Sequence, residues 1–71
     1  MKTEFILSSK TDETETISFS IDTSEREGMR YTKSWFDLYY KMTFYKSEGG
    51  LRRAMKRLTD SGEWSVRVCK Q

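Results

Sequence analysis

The residues that could meet a ligand fall into two groups. The first is Arg52, Arg53, Lys56 and Arg57, four cations within six positions and with no acidic residue between Leu51 and Thr59. At about 100° per residue they cover the side of a helix opposite Leu51, Met55 and Leu58. A solvated helix face accounts for lysine and arginine as such, but unpaired like charges one turn apart cost helix stability. The chemistry such a face offers is anion binding, to a phosphate backbone or to an acidic protein surface.

The second group lies in SWFDLYYKMTFY, residues 34–45, which holds six of the ten aromatic residues in the chain. Read as one long strand, the run sends Phe36, Leu38, Tyr40, Met42 and Phe44 one way. Trp35, Tyr39 and Tyr45, with Lys41, then point the other way. Threonine and aromatic rings favour a pleated surface over a helix. On this reading Trp35, Tyr39, Lys41 and Tyr45, joined by Arg67 from the last strand, form a partner-binding face. Three such rings offer about 450–750 Å² for burial, against about 300–600 Å² for the largest apolar patch of a typical monomer. The face therefore expects a cover: the 23–34 segment through Met29 and Tyr31, a second copy, another protein, or stacked bases.

Catalysis is poorly supplied. The chain has no histidine, so the usual general base near neutral pH is missing. Cys69 is the lone cysteine; it can form no disulfide within the chain, and one thiolate without histidine cannot build a tetrahedral zinc site. Asp12, Glu13 and Glu15 fall in a polar turn. Gly49-Gly50 precedes a helix as phosphate-binding glycines do, but without a GxGxxG or Walker spacing, and reads as a tight exit from the sheet. The expectation is a protein that is not an enzyme and holds no metal or cofactor.

Size and charge agree with a binding role. Seventy-one residues make a single small domain, 1–71, whose core supplies roughly 3–5 kcal/mol at most. Residues 1–30 hold four basic and seven acidic side chains, a balance of −3, whereas residues 31–71 hold nine and four, a balance of +5. Nothing in the sequence approaches the roughly 18 apolar residues of a membrane span, and a lone cysteine suits a reducing compartment. A cytoplasmic protein without membrane association is expected.

The elements that must position these groups are legible from periodicity. Residues 4–8 are an apolar-centred run, and 15–22 alternate, with Ile17, Phe19 and Ile21 inward. SKTDET between them predicts a hairpin loop. Ser24 and Glu27 have the spacing of a capping box, which predicts a short helical turn in the 23–34 connection. Residues 47–62 carry Leu51, Ala54, Met55 and Leu58 on one helical stripe, with Ser47 at the start and Gly62 past the end. EWSVRVCK alternates again, with Trp64, Val66 and Val68 inward. The predicted fold class is α+β: a small four-stranded mixed or antiparallel sheet in the order β-β-β-α-β, with one amphipathic helix on one face. A last strand joining the third through the helix would run parallel to it. The predicted function is a non-catalytic regulator, inhibitor or adaptor that binds a larger protein or nucleoprotein, or a second copy of itself. Direct nucleic-acid binding through the basic helix face and exposed rings is the alternative.

Overall fold

The computed structural model describes residues 1–37 and 40–70. It comprises five strands and one helix: β1 (Lys2–Ser9), β2 (Thr16–Asp22), β3 (Tyr31–Phe36), β4 (Lys41–Tyr45), α1 (Glu48–Asp60) and β5 (Trp64–Lys70). The strands form one sheet in the order β4-β3-β2-β1-β5, and every neighbouring pair is antiparallel. The fold is thus α+β with five strands where the periodicity predicts four. No neighbouring strands are parallel: β5 pairs with β1, at the edge opposite β4.

The extra strand comes from residues 34–45. At about 3.3 Å per residue, twelve extended residues would reach about 40 Å, which exceeds the longest dimension of the molecule, 34 Å. The run instead divides between β3 and β4, which pair with Trp35 opposite Lys41 and Tyr31 opposite Tyr45.

The helix joins the two edges. Thirteen residues at about 1.5 Å each give about 20 Å, and four strand spacings of about 4.8 Å give about 19 Å. α1 crosses one face of the sheet and touches β2, β3, β4 and β5. Ser47 caps its start, its Oγ accepting from the Gly50 N–H at 3.2 Å. Gly49 and Gly50 lie inside the first helical turn, so they are not a tight exit from the sheet. Gly62 follows the helix with φ +78°, a conformation that costs other residues about 1–2 kcal/mol.

Leu51 is driven into the sheet against Leu7, Ile17 and Phe19, and these four side chains are fully buried. Phe5, Ile21, Tyr31, Trp35, Tyr45, Ala54, Met55, Leu58 and Trp64 pack around them. The predicted helix stripe and the inward residues of β2 are therefore where the periodicity puts them. Val66 and Val68 sit opposite Leu7 and Phe5 on the helix side. They are nonetheless half exposed, because α1 runs from the Tyr45 corner to the Trp64 corner and leaves this stretch of the β5 edge uncovered. The 23–30 connection holds no helix. Ser24 is not a cap; its N–H and hydroxyl both donate to Asp22 Oδ1, at 2.9 and 2.6 Å, and fold the chain into a turn.

Leu51→Ala should cost about 2–5 kcal/mol, which matches the whole net stability expected of so small a core. Thermal melting followed by far-UV circular dichroism is expected to show this variant largely unfolded at room temperature.

Candidate functional site

The face of the sheet that α1 leaves uncovered is built from the even-numbered residues of β3 and β4. Pairing sets the phase. Ile17 lies opposite Trp35, Phe19 opposite Lys33 and Ile21 opposite Tyr31, and side chains directly opposite share a face. Tyr31, Lys33 and Trp35 therefore face the helix, with Lys41, Thr43 and Tyr45 beside them. Thr32, Ser34, Phe36, Met42 and Phe44 face away.

This reverses the predicted phase. Trp35 is not on the open face; it packs against the core. Its Nε1 donates to Glu15 Oε1 at 2.7 Å, and its ring meets Trp64 edge-to-face at 5.9 Å. Tyr45 also packs there, and burial raises its phenol above the ordinary range while the Arg57 charge opposes the shift. Lys41 is exposed on the same side as these two rings. Arg67 alone of the predicted group faces the open side, opposite Ile6. Tyr39 and Leu38 lie outside the described residues. Trp35, Lys41 and Tyr45 thus share the helix side of the β3–β4 pair, and Arg67 lies on the opposite face. Both rings are amphipathic and tolerate partial burial when their polar ends are met, so apolar character alone misassigned them. Burial over the Phe19 and Trp35 rings likewise pushes the Lys33 ammonium below its ordinary value.

Tyr40, Met42 and Phe44, expected beneath the helix, are exposed instead. Phe36, Tyr40, Met42, Phe44 and Met29 are each 45–55% exposed, and the Phe36 and Tyr40 rings lie 5.3 Å apart. A signal for this patch was available one strand earlier. Thr32 and Ser34 share the parity of Phe36 and match the outward Ser18 and Ser20 of β2. Reading the strand from Tyr31 rather than Ser34 gives the correct phase.

The middle of the open face is short and polar, formed by Thr16, Ser18, Ser20, Thr32 and Ser34, and beyond it lie Glu4, Ile6 and Arg67. Ser18 is buried, with its hydroxyl donating to Glu4 Oε1 at 2.6 Å. At one end is a depression of about 230 Å³, lined by Lys2, Ser20, Asp22, Glu25, Met29, Thr32, Met42 and Phe44. Its wall is apolar, its floor carries hydroxyls, and its rim holds two carboxylates and one ammonium. Lys2 lies 3.9 Å from Glu4 and, with the N-terminal ammonium, also acts on Asp22, so the rim carries both signs. The hydrogen bonds from Ser24 hold the Asp22 carboxyl below the usual range.

On the far side of the molecule, the basic helix face is less free than its sequence suggests. Arg52 Nη2 pairs with Glu48 Oε1 at 3.0 Å, one helical turn away, and its guanidinium lies 5.6 Å from the Phe5 ring centre. Arg53 Nε donates to the Gly49 carbonyl at 3.4 Å. Arg53, Lys56 and Arg57 are exposed and form no ion pair among the described residues. Among those residues no group of three His, Cys, Asp or Glu side chains could hold a metal ion, and no helix is long and apolar enough to cross a membrane.

Two substitutions check the phase. Trp35→Phe removes a hydrogen bond to a carboxylate, a contact worth about 1.5–3 kcal/mol, whereas Phe36→Ser should cost less than about 1 kcal/mol, as half-exposed residues do; urea titration separates the two. A second measurement concerns acid. Thr14 holds the Asp12 carboxyl low as Ser24 holds Asp22. Their stabilising effect is present above the unfolded carboxyl value near about 4 and is lost as pH falls through the lower folded values. The melting temperature of the wild type should therefore fall more steeply below about pH 4 than that of Asp12→Asn/Asp22→Asn. Comparison of the chain with protein families, with curated proteins and with solved structures finds no match.

Proposed function

We propose that this chain is a small non-catalytic binding protein, a regulator, inhibitor or adaptor of a larger protein, acting in the reducing setting of the cytoplasm. It docks through Met29, Phe36, Met42 and Phe44 on the open sheet face. The observation that carries this reading is the grouping of half-exposed large apolar side chains on one side of the β3–β4 hairpin. Grouped apolar surface of this kind marks interaction sites more often than scattered exposure does. The Asp22 and Glu25 carboxylates on the rim of the depression suit a partner segment that brings an apolar side chain together with a lysine or arginine. Charge on such a rim sets orientation and on-rate more than affinity.

Nucleic-acid binding is the competing reading, and its support is Arg53, Lys56 and Arg57. The exposed rings lie on the opposite side of the sheet from these cations, so one strand of nucleic acid cannot use both. Three phosphate contacts would give a salt slope of about −2.7 on duplex.

The test is binding by the wild type compared with Phe36→Ser, Phe44→Ser and the helix variant Arg53→Glu/Lys56→Glu/Arg57→Glu. A protein partner recovered with the wild type and remeasured in purified form should bind the ring variants at least about thirtyfold more weakly, as hot-spot truncations do. It should bind the helix variant within a few fold of wild type. Loss confined to the helix variant, with a steep salt dependence on DNA or RNA, would replace this reading with the competing one.

A further inference from the structure

We propose that a second copy of this chain pairs antiparallel with β4, joining two sheets edge to edge about a twofold axis at Thr43. The sheet has two edges, β4 and β5. An edge strand offers a row of unpaired backbone groups, and monomers commonly guard it with proline, bulges or charge. Strand β4 has few such guards. The chain contains no proline, the β3–β4 register runs without a break from Tyr31↔Tyr45 to Trp35↔Lys41, and the only charge in β4 is Lys41 at its first position.

Symmetry then decides which edge can pair with itself. A twofold axis perpendicular to the sheet keeps each face on its own side, so residues opposite each other must share parity and the axis must pass through a residue. Full overlap of the five residues Lys41–Tyr45 centres it on Thr43. Met42 then lies opposite Phe44 of the second copy on the open face, and Phe44 opposite Met42. Sulfur–aromatic pairs of this kind are favourable. On the helix face Lys41 lies opposite Tyr45 of the second copy, a cation beside a ring. Every position meets a compatible one. Full overlap of the seven residues Trp64–Lys70 of β5 centres instead on Arg67 and sets that charge against its own copy, which is destabilising. One edge is self-complementary and the other is self-repelling.

The need for such pairing follows from the core. Four fully buried apolar side chains among the described residues are few for independent stability, and oligomerisation is one of the usual remedies. The joined sheet would also set Met42 and Phe44 of both copies side by side on a single face. The pairing does not depend on the docking reading: Thr43 faces the helix side and Phe36 lies outside β4, so each reading fails through its own variant.

The experiment is light scattering on the full chain up to about 1 mM, where an association worth about 4 kcal/mol is half populated. The mass should rise from 8.5 kDa toward twice that value. Thr43→Glu places two carboxylates face to face at the axis, while Lys33 across β3 gives each one a partner within its own chain. It should stay at the monomer mass with an unchanged far-UV spectrum, and Arg67→Glu should dimerise like the wild type. Cross-linking covers the case in which Thr43→Glu fails to fold. Under mild oxidation Cys69→Ser/Thr43→Cys should give a covalent dimer, whereas Ser65→Cys, which keeps Cys69 at the position that would face it across a β5 seam, should not. A wild type that stays monomeric throughout, a Thr43→Glu protein that dimerises equally well, or cross-linking at Ser65 rather than Thr43 would overturn the proposal.

Discussion

Leu51 enters the sheet where Leu7, Ile17 and Phe19 meet, and among the described residues these are the side chains wholly closed to water. The rest of the structure depends on this contact because one helix must serve five strands. A helix crossing corner to corner closes the middle of the sheet and leaves two margins. The half-exposed Val66 and Val68 on one side and the exposed Lys41 and Thr43 on the other are the margins it does not reach. Partial burial of Trp35, Tyr45 and Trp64 extends the shielded area with rings whose polar ends can still be satisfied. Bulk that a larger protein would obtain from a second helix is obtained here from amphipathic side chains.

The same constraint explains why the two faces of the sheet differ so strongly. The helix face carries the long apolar residues of β1 and β2. The middle of the opposite face, on β2 and β3, is floored by serine and threonine, whose short side chains expose little apolar area and leave the pleated surface shallow. Against that floor Phe36, Met42 and Phe44 stand out. They are not part of the buried core and stay about half exposed even where they neighbour one another. A sheet that merely had to be wet on one side would continue the hydroxyl pattern to its edge.

Much of this architecture was legible in the sequence. The alternation of Ile17, Phe19 and Ile21, the helical stripe from Leu51 to Leu58, the Ser47 cap and the final strand all appear where their periods place them. What failed was the stretch from Tyr31 to Tyr45. Every position in 34–45 that is not charged or a lone serine or threonine is large and apolar or aromatic, so hydrophobicity cannot distinguish its two faces. The four-residue connection 37–40 preserves parity, so a single error in phase carried through both strands. The information that resolves it is relational: the Trp35 indole N–H has a part-buried carboxylate to bind in Glu15, and Phe36 has no polar group to satisfy. The basic helix face holds a similar relational feature, because Glu48, the partner of Arg52, precedes the acid-free stretch from Leu51 to Thr59.

The edge-to-face contact of Trp35 and Trp64 has an optical consequence. These are the only two tryptophans in the chain, one on β3 and the other opening β5, and they meet across the intervening β2 and β1. At 5.9 Å with perpendicular rings, their excited states are close enough to couple and fixed enough to be chiral. A paired exciton band in the circular dichroism of the indole transitions would therefore arise only when the sheet is complete from its third strand to its last. The molecule contains its own spectroscopic ruler for closure, with no added label and no other indole to obscure it.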